Sequence, residues 1–400
     1  MKIKIAVLSD LHAFQKSRSS KDSSREPLVS YLPAHPEPSD PKPFEDLNNL
    51  ISRDSLVADL VVCPGDICDR GDIGGFGYAW DQLHLLKQKL RAGHLIATCG
   101  NHDLDSRYAS TGSVDDPDPK GNLLQASPPF PFGDTAETNQ YWARNFALLR
   151  PAEDVRLLVL NTSAYHGGKE SELEHGRISN RTIEAIRAAI KSDSSTTLLN
   201  LLVCHHHLQP LNAPPGLDVD LQHVRRGADL LRALTQDTGQ PWIVVHGHRH
   251  LPHVNHSISP PLITIGAASF ARMGDYFANQ FHIIEAEADP IAHQMPIRGT
   301  IRTWNWSRAN RWAVYPDPSK GLPPLCGFGF DGNVLSLPAR VCAIVGAAPF
   351  LSWDQLTSAI PEIKYLAPDQ WETFETALER SGHIVLKVNG VPHQVGRRQS

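Results

Sequence analysis

The chain has 400 residues, 41% of them hydrophobic, and a formal net charge of -5. Such a length exceeds one small core and favours two domains or one domain with large insertions. The near balance of charge argues against a strongly basic nucleic-acid binder while leaving a local basic groove open, and no apolar run is of membrane-spanning length. Charges interrupt the opening Met1-Lys2-Ile3-Lys4-Ile5, so no signal peptide is expected and a cytoplasmic location is the default. The six cysteines lack the paired spacing of a zinc ribbon. Cys63, Cys99 and Cys204 close apolar runs, where a free thiol behaves as a small hydrophobe. Twenty histidines are the unusual feature, because many of them gather just after strand-like runs.

In chain order, the first strand is expected over Ile3 to Leu8, ending in the loop Ser9 to His12. From Ala13 to about Phe44 the chain is rich in Ser, Pro and charge, which reads as an exposed insertion. A helix over Phe44 to Ser52 leads to the apolar run Leu60 to Cys63 and the loop Gly65 to Gly71. Leu83, Leu86 and Leu90 then mark the buried face of a helix over Tyr78 to Arg91. Strand Leu95 to Cys99 runs into Gly100 to Asp105, and a polar loop is expected over Ser106 to Thr138. Strand Val155 to Leu160 is followed by Asn161-Thr162-Ser163, and Ser179 caps a helix reaching Ser192.

Strand Thr197 to Cys204 ends in His205, His206 and His207. A helix over Gly227 to Thr235 precedes strand Trp242 to Val245 and the loop His246 to His250, and the runs Leu262 to Ile265 and Phe281 to Ile284 are expected to complete a second sheet. Strands alternating with helices indicate an α/β core. Beyond about Ala292, Trp304, Trp306, Trp312 and several prolines mark an irregular connector. A compact tail follows, with a strand over Val341 to Val345, a helix over Trp371 to Arg380 and a strand over His383 to Val388.

Five loops carry metal-ligand residue types: Asp10-x-His12, Gly65-Asp66-x-x-Asp69, Gly100-Asn101-His102-Asp103, the run at His205, and Gly247-His248-x-His250. Each follows an apolar strand, so a sheet would bring all five to one edge. Carboxylate, imidazole and amide donors together suit first-row ions such as Mn, Fe, Co, Ni or Zn and suit calcium poorly. There are too many donors for one ion, and two ions bridged by one carboxylate would use them all. His205 is nearest the apolar strand, but a strand end alternates its faces, which keeps His206 open as the ligand.

Read in order, LSDLH, GDICD, GNHD, HHH and GHRH meet the pattern of the calcineurin-like metallophosphoesterase family, which the chain resembles over about Met1 to Glu287. The resemblance implies a four-layer α/β/β/α sandwich, assigned to 1–298 with the composition-based insertion over 13–44, and the change of texture beyond it marks a small C-terminal α+β accessory domain over 299–400. It implies that Asp10, His12 and His250 hold one ion and Asn101, His205 and His248 the other, with Asp66 as bridge. Asn101 is also a candidate substrate contact. His102 would stabilise or protonate the leaving oxygen, with Asp69 or Asp103 orienting its ring.

Arg70 completes Asp69-Arg70-Gly71, a tripeptide of the Ser/Thr protein phosphatase branch in which the arginine contacts phosphate. That branch has Glu where this chain has Asp103, so protein substrates are not inferred. The implied activity is hydrolysis of a phosphodiester, a cyclic nucleotide or other small nucleotide-type diester, by in-line attack of a metal-bridging hydroxide, with manganese the first choice of ion. A nuclease, a phosphomonoesterase and a non-catalytic scaffold acting through the tail are the alternatives. The expected partner is a small phosphoester, with no membrane. His246 is assigned a packing role behind the site, and His84, His94, His166, His175, His253, His256 and His282 ordinary loop or core roles.

Overall fold

The structure is a computed structural model and describes residues 1–15, 30–106, 118–167, 172, 174–193, 197–211, 222–258, 261–274, 277–288, 295–314, 320–346 and 348–398. Its first half runs β1 (Lys2–Val7), α1 (Pro43–Asp54), β2 (Leu60–Cys63), α2 (Ile73–Lys89), β3 (His94–Ala97), α3 (Gly121–Leu124), α4 (Thr135–Arg144), β4 (Phe146–Ala152), β5 (Val155–Leu160), α5 (Asn180–Ser192) and β6 (Leu199–Cys204). The chain continues through α6 (Gly227–Thr238), β7 (Trp242–His246), β8 (His253–Ile258), β9 (Pro261–Gly266), β10 (Asn279–Ala288), β11 (Ile297–Ser307), β12 (Arg311–Ala313) and β13 (Leu325–Phe328). Last come α7 (Leu337–Val345), β14 (Phe350–Ser352), α8 (Trp353–Ala359), α9 (Pro368–Arg380), β15 (His383–Val388) and β16 (Val391–Arg397).

Two large sheets pack face to face. The first has the order β12-β11-β10-β1-β2-β3 with β13 also on β11, and the second the order β4-β5-β6-β7-β9-β8. Side-chain alternation explains the layering. Ile3, Ile5 and Val7 of β1 share a core with Leu157, Val159, Leu201, Val203, Ile243 and Val245 of the second sheet. The intervening residues face outward: Ala6 and Leu8 meet Leu47, Leu83 and Leu86 of α1 and α2, while Leu158, Leu202 and Val244 meet Ile183, Ile186 and Leu234 of α5 and α6. These layers are the expected α/β/β/α sandwich. Local chemistry sets the helix starts: Asp72 accepts from the Gly75 N–H at 2.9 Å, which begins α2 five residues before its apolar stripe suggests, and Ser179 accepts from the Thr182 N–H at 3.0 Å at the head of α5.

Several expectations are corrected. Phe281 to Ile284 lies in β10, which pairs antiparallel with β1 in the first sheet, not in the second. Val341 to Val345 is helical, because Leu337, Val341 and Val345 recur every four residues and all three enter the tail's own core. The boundary at 298/299 falls inside β11, which pairs with the whole length of β10, so the first sheet extends to Phe328. The separate three-stranded sheet, β14-β16-β15, begins only at Phe350. The 13–44 insertion is not exposed throughout: Ser30, Leu32 and Ala34 are buried, and Phe14 pairs with Pro33. Its 16–29 stretch lies outside the described residues. Among the described residues no helix is long and apolar enough to cross a membrane.

Candidate metal centre

β1, β2 and β3 run parallel, as do β5, β6 and β7, so the loops leaving their C-terminal ends meet at one edge of the sandwich. Backbone bonds stitch those loops together. Asp10 and His12 N–H groups donate to the Gly65 and Asp66 carbonyls at 3.1 and 2.9 Å, and Gly247 N–H donates to the His205 carbonyl at 3.0 Å.

The candidate ligands form two sets. In one, His250 Nε2 lies 3.2 Å from Asp10 Oδ1 and 3.3 Å from His12 Nε2. In the other, Asn101 Oδ1 lies 3.1 Å from both His205 Nε2 and His248 Nδ1. Asp66 stands between them, with Oδ1 3.4 Å from His205 Nε2 and Oδ2 3.8 Å from His12 Nε2. The donor atoms of Asp10, His12 and His250, and those of Asp10, Asp66 and His205, lie within 4.8 Å of one another. Neighbouring loops aim the carboxylates: the His248 N–H donates to Asp10 Oδ1 at 3.0 Å and the His102 N–H to Asp66 Oδ1 at 2.8 Å.

The donor set fits first-row metal ions. It combines imidazole, carboxylate and amide oxygen, with Asp10, His12, Asp66, His205 and His250 buried, and His205 Nδ1 donates to the Pro64 carbonyl at 2.9 Å, a bond that fixes the ring and turns Nε2 toward the site. Burial holds His12 and His248 well below the usual imidazole range, so both are neutral with lone pairs to give. Burial also opposes charge on Asp66, yet the imidazoles of His205, His102 and His12 outweigh it and hold the carboxyl well below its ordinary range. His205 moves the other way, to about 9, because Asp66 overcomes its desolvation.

Close packing of backbone against these groups is specific. A Cβ on Gly247 would meet Ser9 Oγ at 2.1 Å and Asp10 Oδ2 at 2.4 Å, and one on Gly100 would meet Asp66 Oδ1 at 2.2 Å. Five of the candidate ligands adopt the left-handed backbone that non-glycine residues avoid: Asp10 at φ 53°, His12 at 50°, Asp66 at 53°, His248 at 73° and His250 at 52°.

The two acids proposed to orient His102 separate cleanly. Asp69 Oδ1 lies 3.0 Å from His102 Nδ1. Asp103 instead accepts three backbone N–H groups, from Asp66 at 2.9 Å, Cys68 at 3.0 Å and Gly100 at 2.8 Å, and so braces two ligand loops. Burial and the nearby Asp66 raise its carboxyl to about 6. Arg70 is half-buried in the left-handed conformation at φ 52°.

Three residues outside the motifs, His166, Thr162 and Arg272, also reach this edge, as does His206, kept open above as an alternative ligand. His206 belongs to a triad with His205 and His248, its Nδ1 2.8 Å from Thr162 Oγ1 and its Nε2 buried without a hydrogen-bond partner among the described residues. His166, assigned an ordinary role above, packs 5.4 Å from the His206 ring. Thr162 sits in the loop after β5, a sixth strand end whose polar tripeptide was the available signal. The third is Arg272 in the loop after β9, with Nη1 3.0 Å from His250 Nδ1. His246 is buried behind the site, its Nδ1 3.1 Å from the Gly247 carbonyl.

The family model described as calcineurin-like phosphoesterase matches residues 3–270. The chain belongs to the calcineurin-like phosphoesterase family. A comparison with curated proteins returns no match. Among solved structures, the calcineurin-like phosphoesterase YfkN from Bacillus subtilis aligns at 12% identity and a TM-score of 0.36, over 75% of this chain and 90% of that one. The anchor GAP50 of the inner membrane complex of Plasmodium aligns at 10% and 0.39, over 78% and 86%. Vacuolar Protein Sorting 29 from Cryptosporidium parvum aligns at 10% and 0.29, over 82% and 98%. Within this calcineurin-like phosphoesterase the five motif loops of the sequence converge on one edge, with His102 and Asp69 beside them.

Proposed function

We propose that the chain is a dinuclear metal-dependent phosphoesterase that hydrolyses a small nucleotide-type phosphodiester. The observation that carries this reading is Asp66, whose two oxygens face His12 on one side and His205 on the other. Asp10, His12 and His250 would hold one ion and Asn101, His205 and His248 the second, with Asp66 shared and manganese the first choice. When bound, the ions would activate water near neutral pH and neutralise charge on the phosphoryl group.

The chain's own groups do the rest. Asp69 holds Nδ1 of His102, which leaves Nε2 as the nitrogen able to pass a proton to the leaving oxygen. Asp103 keeps the Asp66 and Asn101 loops in register through its three N–H bonds. Arg70 is proposed as a substrate contact, and the balanced charge supports a small ester over a nucleic acid.

A panel of phosphodiesters, phosphomonoesters and DNA, assayed with several metals, tests the reading. Close to two ions per chain and manganese-dependent cleavage of a diester are expected, and Asp66→Asn should lower both metal content and turnover, the latter by a factor on the order of 100 or more. Unchanged turnover in Asp66→Asn, or full activity after exhaustive chelation, overturns it.

A further inference from the structure

Arg272 lies outside every motif of the sequence, yet its side chain reaches the candidate metal centre. Nη1 lies 3.0 Å from Nδ1 and 3.4 Å from Nε2 of His250. The backbone that carries it is held from three directions. Its N–H donates to Ser269 Oγ at 3.0 Å, its carbonyl accepts from Asn279 Nδ2 at 3.0 Å, and it forms an antiparallel bridge with Ser30. Two buried serines then join this loop to the ligand loop of β1: Ser269 Oγ donates to the Asp10 carbonyl at 2.7 Å and Ser30 Oγ to the Leu11 carbonyl at 2.8 Å.

The serines brace the loop through backbone atoms, and the guanidinium reaches His250 from that braced loop. Arginine carries a permanent charge on a planar fork of donors. At a centre proposed to bind a phosphoryl group, a guanidinium 3.0 Å from a candidate ligand adds a fixed positive charge on the His250 side. The planar guanidinium fork matches the non-bridging oxygens of a phosphoryl group.

Resting on the phosphoesterase reading above, we infer that Arg272 is a substrate-binding residue whose guanidinium contacts a non-bridging oxygen of the phosphoryl group from the His250 side. Nothing in the motifs assigns this role, and it places a cationic contact on the loop after β9, apart from Arg70 on the loop after β2.

The test uses the full chain loaded with manganese and inorganic phosphate as probe, read both by calorimetry and as a competitive inhibitor of ester hydrolysis. In Arg272→Gln the phosphate dissociation constant and KM should rise about tenfold or more, as expected for losing one charge-assisted contact, with metal content and melting temperature unchanged. Arg272→Lys should fall between. Arg272→Met preserves the packing of the stem and serves the same comparison if the Gln variant does not fold.

Wild-type phosphate affinity in the Gln or Met variant overturns the inference while leaving the phosphoesterase reading intact. So does loss of metal from either variant, which would make Arg272 a positioning residue for His250, and so does a loss confined to Arg70→Gln measured in parallel. A wild-type protein that neither cleaves an ester nor binds phosphate overturns both.

Discussion

Asp103 shows what a single side chain decides at this site. Its carboxylate gathers three N–H groups from two loops, so replacing it changes where Asp66 and Asn101 sit without touching the proposed chemistry directly. Asp69 differs, because it reaches one imidazole nitrogen. We expect His102→Ala to lower turnover by about 100-fold or more for an ester with a poor leaving group and much less for a nitrophenyl ester, which needs no proton. Asp69→Asn should show the same leaving-group dependence in weaker form, a pattern that a general loss of structure would not produce. Gly247→Ala tests the close packing behind Asp10. With Ser9 Oγ and Asp10 Oδ2 both inside contact distance of the new methyl, the variant should bind less metal, read by elemental analysis, and melt lower.

At the scale of elements, the sequence showed whatever its local pattern could carry. Apolar runs such as Val155 to Leu160 and the capped helix after Ser179 sit where their periodicity puts them, and the five candidate ligand loops were visible because each follows such a run. Partnership between distant strands left no local trace. Nothing within Phe281 to Ile284 says that its neighbour is β1, and nothing near the connector says that β11 extends the same sheet. Arg272 was illegible for the same reason: a single arginine after an ordinary strand gains meaning only from the fold that carries it to His250.

Glu287 on β10 marks how the tail is fastened to this sheet. It accepts from Arg298 Nε at 2.7 Å and from the Tyr365 hydroxyl, and pairs with Lys2 at 3.2 Å. Burial alone would raise its carboxyl, but bonds from Tyr365, Arg298 and Lys2 bring it down to about 2. A depressed carboxylate stabilises the fold above its unfolded value of about 4.3 and loses that contribution as pH falls toward 2. Glu287→Gln should therefore be less stable than wild type at about pH 7, by about 1 kcal/mol after solvent screening, and denaturant titrations should show the gap narrowing below about pH 4.

For the molecule as a whole, the tail has a core of its own. Leu337, Val341, Leu356, Phe374 and Leu378 are buried together, apart from the clusters that line the two large sheets. Between it and the sandwich, β11 and β13 belong to the sandwich. A truncation near residue 300 would cut β11 short and expose β10 as a sheet edge, and such a protein is expected to aggregate. A cut after Asp331 keeps both strands, and the shortened protein should stay soluble and load metal as the full chain does, as gel filtration and elemental analysis would show. Loss of metal loading in that shorter chain would assign the tail a structural part in the centre.

If the proposed ligands bind metal, five positions held in a backbone conformation that costs on the order of 1 kcal/mol each set durability against use. Without an ion, the fold is better off with glycine or asparagine at positions 10, 12, 66, 248 and 250. A library selected for heat resistance alone should drift toward those two residues at those places and lose its metal as it hardens. The same selection carried out in manganese should keep the ligands, since an ion that binds only the folded chain returns the stability that the loops give up.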